Sequence, residues 1–116
     1  MPTLEGKVRS LLVLQPRGGD YDALLDFFRL HDVLGLAVRH AGAWAAELHV
    51  PLSGVGPVVV TAVWDDAAAY DGWRNHPVRA TFNDDMERLV ESEPATIGVA
   101  GGVYAVAVSA AREAGS

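Results

Sequence analysis

Residues 57–91, PVVVTAVWDDAAAYDGWRNHPVRATFNDDMERLVE, decide the fold of this 116-residue chain. The run Val58-Val59-Val60-Thr61-Ala62-Val63 is β-branched and reads as a strand, because such side chains pack well on a pleated surface. At Trp64-Asp65-Asp66 the pattern changes to helix. An aspartate leaving a strand caps the next helix by accepting its free backbone N–H groups, and its charge suits the positive helix end. The spacing predicts a helix over 66–74, punctuated by Asn75-His76-Pro77. Pro77 then fits the first turn of a further helix, along which Val78, Phe82, Met86 and Leu89 form an apolar stripe at intervals of four, four and three. Trp64, Tyr70 and Trp73 cluster around the strand-to-helix turn, where a pocket is expected.

Outward from that stretch, residues 7–15 (KVRSLLVLQ) read as a strand apolar on both faces, with Val8, Ser10, Leu12 and Leu14 on one and Arg9, Leu11 and Val13 on the other. Residues 16–19 form a turn and Asp20 a helix cap. Tyr21, Leu24, Leu25 and Phe28 keep a helical period, with the helix ending near Gly35. Residues 39–52 read as a second strand, Trp44, Ala46 and Leu48 facing one way and Ala45, Glu47 and His49 the other. A last strand runs over 96–109, bent at Gly101-Gly102, between a loose leader (1–6) and a tail (110–116). The order β-α-β, β-α-β is the split βαβ, ferredoxin-like pattern: an α+β domain with an antiparallel sheet, helices on one face and a core over about 7–109. The other face carries Val59, Thr61 and Val63. Apolar sheet left in water calls for a cover, and a homodimer packed sheet against sheet is expected.

Composition removes several function classes. A net charge of −6 and a pI near 5.0 argue against nucleic acid, which selects basic faces. No apolar run approaches the ~20 residues of a membrane helix and no charged-then-apolar leader opens the chain, so the default setting is cytoplasmic. With no cysteine, disulfides, thiolate metal sites and thiol catalysis fall away. His31, His40, His49 and His76 show no metal-ligand spacing. Gly98-Val99-Ala100-Gly101-Gly102 lies inside a strand rather than in a nucleotide loop. No metal, haem or flavin is expected.

The valine-rich strand ending in Trp64, the two acidic residues, Tyr70 six positions on, Trp73 and then His76-Pro77 before a further helix together resemble the antibiotic biosynthesis monooxygenase family of dimeric α+β barrels. The resemblance spans about residues 8–109 and is strongest over 58–90. It implies a homodimer and, for members acting on aromatic polyketide anthrones, oxidation to a quinone by O₂ without metal or flavin. Trp64 and Tyr70 match positions used by that subgroup. A pocket histidine on the second strand falls within one residue of His49, and an arginine on the helix after the proline corresponds to Arg79, with Arg88 second. On this resemblance His49 takes the substrate proton. Trp64 and Tyr70 donate to substrate oxygens, and Arg79 steadies the oxyanion. Trp44, Trp73, His76, Phe82 and Asn83 complete the candidate substrate-binding set.

Each of these residues also has an ordinary reading. Trp64 and Trp73 serve as core, Tyr70 as a surface ring, His49 as a solvated strand end, His76 as a helix cap, and Arg79 as part of a charged helix face. Two other functions remain open on the same scaffold. A haem-degrading oxygenase needs a histidine ligand on the helix after the tryptophan and an asparagine on strand one, where this chain has Arg9 and Ser10. A non-redox binding or cyclase-like protein needs neither.

Overall fold

Strand β1 (Val8–Leu14) occupies an inner position of a four-stranded sheet, with β3 (Val58–Trp64) on one side and β4 (Gly102–Ala105) on the other. Strand β2 (Ala45–His49) completes the order β2-β3-β1-β4, and every neighbouring pair is antiparallel. The computed structural model describes residues 4–91 and 102–112. Among the described residues four α-helices connect the strands: α1 (Tyr21–Leu30), α2 (Val33–Ala41), α3 (Ala67–Arg74) and α4 (Pro77–Leu89). This is an α+β, ferredoxin-like arrangement with an open antiparallel sheet.

The helix starts follow local chemistry. Asp20 accepts the Ala23 N–H at 3.1 Å to cap α1, and Asp66 accepts the Ala69 N–H at 2.8 Å to cap α3. His76 caps α4 through Nδ1, which accepts the Val78 N–H at 3.1 Å, with Pro77 in the first turn. At the far end of α4, Arg17 donates to the carbonyls of Arg88 and Val90 at 3.1 and 2.8 Å. A cation satisfying the last carbonyls suits the negative helix end.

The sheet's two faces have different fates. Ser10, Leu12 and Leu14 of β1, Val58, Val60, Ala62 and Trp64 of β3, and Ala46 and Leu48 of β2 point toward the helices. They pack with Leu24, Phe27, Phe28, Trp73, Phe82 and Met86 as the hydrophobic core. Leu11, Val13, Val59 and Thr61 point the other way, and among the described residues no helix covers them.

Two sequence expectations change here. The helix expected to end near Gly35 bends at Asp32, which takes a left-handed φ of 49°, and resumes as α2 as far as Ala41. Residues 39–41 are therefore helical, and β2 covers only the middle of the expected strand over 39–52. Gly42, at φ 81°, closes α2 as a left-handed cap. Gly35 lies inside α2 beneath the Asp32–Arg39 ion pair, whose side chains would have to shift to admit a Cβ there. The final strand is seen at Gly102–Ala105 and residues 106–109, expected to extend it, are not strand; its expected start, with the bend at Gly101, lies outside the described residues. Among the described residues, no helix is long and apolar enough to cross a membrane.

Candidate functional site

Trp64 closes β3 with its indole fully buried. Its Nε1–H donates to Ser10 Oγ on β1 at 2.9 Å. Six residues on, Tyr70 sits near the start of α3, one turn before the buried Trp73. Asp66 starts α3 in a direction that brings Tyr70 back over the strand end, so the Trp64 and Tyr70 ring centroids lie 5.7 Å apart with planes at 52°. Arg79, in the first turn of α4, holds its guanidinium carbon 5.9 Å from the centre of the Trp73 ring, a cation–π geometry.

Trp64, Tyr70, Trp73 and Arg79 line one cavity between sheet and helices, with Ser10, Leu12, Phe28, Leu34, Val60 and Met86 among the other walls. Its volume is ≈50 Å³, room for a few waters and well short of the ~300–1,000 Å³ of most ligand pockets. The lining is apolar apart from the Ser10 hydroxyl, the Tyr70 phenol and the Arg79 cation. Burial pushes the Arg79 guanidinium below the usual arginine range, an effect that the Tyr70 phenol beside it opposes. It remains a cation throughout the physiological range. None of the ion pairs among the described residues involves Arg79. A partly buried cation beside aromatic rings and a phenol is suited to holding a flat molecule that carries or develops negative charge.

The remaining sequence candidates lie elsewhere. His49 is on the opposite sheet face, where its Nε2 meets Thr61 Oγ1 at 2.9 Å and Glu47 at 3.8 Å. Alternation along β2 turns Ala46 and Leu48 to the helices and His49 away from them, so the expected base does not reach the cavity. Trp44 was expected to share the face of Ala46 and Leu48. It precedes the first residue of β2, escapes that alternation, and is 62% exposed near the sheet's open face. There its Nε1–H donates to Asp65 at 2.8 Å, and Lys7 lies 4.8 Å above its ring and bonds the same carboxylate. Phe82 is core, edge-to-face with Phe27 at 6.2 Å. Asn83 is on the exposed side of α4. His76 approaches Trp73 at 6.1 Å, but its Nδ1 serves the α4 cap. Sequence reasoning passed over Ser10. The available signal was its being the one hydroxyl on an apolar strand face, since a buried hydroxyl needs a partner.

Residues 14–96 match the antibiotic biosynthesis monooxygenase family, well over half of the chain. The chain belongs to this family. No curated protein matches it in sequence. Among solved structures it is similar to a mutant form of SnoaB, a cofactor-independent oxygenase from Streptomyces nogalater (17% identity, TM-score 0.63, 96% of this chain and 99% of that one). It is similar to the heme-degrader MhuD from Mycobacterium tuberculosis, solved with two hemes in its active site (17%, TM-score 0.61, 90% and 99%). A dimeric protein of unknown function and ferredoxin-like fold from Bacteroides fragilis is a third (13%, TM-score 0.60, 87% and 97%). At these identities the likeness is one of fold.

No histidine lines this family member's cavity; His76, beside Trp73, uses Nδ1 to cap α4. Among the described residues, no group of three or more His, Cys, Asp or Glu side chains is arranged to hold a metal ion.

Proposed function

We propose that this protein is a cofactor-independent monooxygenase that oxidises an anthrone-like or hydroquinone-like aromatic to a quinone with O₂. The observation that carries this reading is the convergence of Tyr70, Arg79, Trp64 and Trp73 on one otherwise apolar cavity. An anthrone CH₂ is bonded to two aryl rings that a carbonyl bridges on the far side, and it loses a proton to give an anion delocalised onto that carbonyl oxygen. That anion passes an electron directly to O₂, so no external reductant is required. In the net change one oxygen atom becomes the new carbonyl, while the other leaves as water with both hydrogens of the CH₂.

The chain's part is to favour the anion and keep out water. Arg79 supplies the charge, Tyr70 an O–H donor, and the indoles of Trp64 and Trp73 flat walls. One well-placed donor of this kind contributes ~2.7–4 kcal/mol to barrier lowering. No imidazole or carboxylate lines the cavity, so the reading favours a substrate acidic enough to ionise through charge stabilisation. The same reading includes a homodimer closed over the open sheet face, where Leu11, Val13 and Val59 have no helix over them among the described residues. The dimeric Bacteroides fragilis neighbour supports it.

The test is incubation with a hydroxyanthrone under air, following O₂ uptake and quinone absorbance together. One O₂ per quinone, at a rate that falls in Tyr70→Phe and Arg79→Leu, is the expected result. Ligand binding without O₂ uptake would leave a non-redox binding protein instead.

A further inference from the structure

The ≈50 Å³ cavity cannot hold even one ring beside Tyr70, yet a second space adjoins it. That outer space, ≈270 Å³, lies where α1, α2 and β2 meet and is lined by Leu25, Phe28, Arg29, Asp32, Leu34 and Leu48. Phe28 and Leu34 line both spaces. The two spaces therefore meet at these two side chains, which flank the α1–α2 junction.

We propose that Phe28 and Leu34 are the size-selecting residues of this site, dividing one substrate cavity into an inner reacting chamber and an outer vestibule. The proposal rests on the inner cavity being the substrate site. Joined, spaces of ≈50 and ≈270 Å³ reach the lower end of the ~300–1,000 Å³ range of ligand pockets. Neither does so alone. The two wall residues come from different helices: Phe28 from the last turn of α1, only 5% exposed, and half-buried Leu34 from the first turn of α2. Between them the chain bends at Asp32, in the left-handed region, so the wall is split at a break in the helical hydrogen bonding rather than built on one rigid rod.

The vestibule's chemistry specifies its occupant. Leu25, Leu48 and the wall residues offer apolar faces, while the exposed side chains of Arg29 and Asp32 stand at the rim. The ligand is therefore an elongated fused-ring phenol. Its ionising end reaches Tyr70 and Arg79, its further rings lie in the vestibule, and its polar substituents meet the rim. Side-chain size at position 34 sets how large a ring system passes.

Tryptophan quenching tests this without a substrate. In a Trp44→Phe background only the buried Trp64 and Trp73 report. Leu34→Ala should raise their quenching by acrylamide at least threefold, and by the bulkier succinimide more steeply. Leu34→Phe should lower both. Val78→Ala, an equivalent truncation of a half-buried residue on α4 outside both spaces, should leave them unchanged. Equal rises in Leu34→Ala and Val78→Ala, or none in Leu34→Ala, would overturn the wall. Turnover of a hydroxyanthrone with position-34-independent quenching leaves the proposed activity standing and removes the wall. Position-34-dependent quenching in a protein inert toward anthrones does the reverse.

Discussion

The indole N–H of Trp64 is held by Ser10 Oγ at 2.9 Å, and both side chains are buried. The resemblance implies a donor free for substrate, whereas this donor is already engaged within the fold. Trp64 thus contributes a wall to the cavity and ties β3 to β1 through its edge. The direct polar contacts with a ligand fall to Tyr70 and Arg79.

Trp64→Phe should therefore cost stability as well as shape. It leaves the Ser10 hydroxyl without its donor at a cost of ~1–3 kcal/mol, which lowers the melting temperature by several degrees in a chain of this size. Ser10→Ala should cost a similar amount by orphaning the indole. Urea denaturation of the double variant should show a coupling of ~0.5–3 kcal/mol, and strict additivity would mean that the bond contributes nothing.

Tyr70→Phe keeps the ring and removes the hydroxyl, so turnover of a hydroxyanthrone should fall about tenfold, ~1.4 kcal/mol, with the fold intact by circular dichroism. Arg79→Leu should cost ~10²–10³ in rate, as for a lost oxyanion donor. His49→Ala should leave both the rate and its pH profile unchanged, because His49 is on the other side of the sheet from the cavity. A His49→Ala profile that lost its neutral-pH limb would return the base to His49 and require the site to involve the open face.

Light scattering should report twice the 12.3 kDa chain mass. Leu11→Asp, in the middle of the open face, should yield monomers that keep their helical signal. A monodisperse 12.3 kDa species in the unaltered protein would remove the sheet-to-sheet dimer.

Asp65 provides a pH signature. Hydrogen bonds from Lys7 and then from Trp44 hold its carboxyl below the usual carboxylate range. A depressed carboxylate contributes stability that is fully present above the unfolded value, near ~3.9, and lost as pH falls through the folded one. Asp65→Asn should therefore lower the melting temperature slightly at pH 7, where the exposed pair's contribution is fully present, and flatten part of its decline below pH 4. An identical acid limb in the variant would show that the cluster is decoupled from folding.

How much of this was legible in the sequence depended on the range of each signal. The β3-to-α3 switch was readable because a β-branched run, the Asp66 cap and the tryptophan–tyrosine spacing are all local. Helix α2 was not. Gly35 reads as a stop, and its actual place under the Asp32–Arg39 pair depends on a contact between side chains seven residues apart. The alternation of β2 was read correctly for Ala46, Leu48 and His49. Which face held the cavity was not a property of that strand, and one position in register exchanges the faces. Phe82 shows the same limit: its helical stripe was evident, but whether it met Phe27 or a ligand depended on how α4 lies against α1. The pairing of Ser10 with Trp64 lay beyond any window, since it joins two strands far apart in the chain.

The sheet order also governs how this chain reaches its native state. Val8 finds Trp64 on one side and Ala105 on the other, so β1 has no strand partner nearby in sequence. Closing loops of that length precedes any gain from the ladder, which makes sheet formation slow relative to helix formation. A chain that has folded only as far as α4 holds β1 paired to β3 with its other edge still bare. That edge, bearing Leu11 and Val13, is a template for intermolecular strand pairing. Refolding yield should thus depend on protein concentration until β4 (Gly102–Ala105) docks, and its capture is the step that separates productive folding from aggregation.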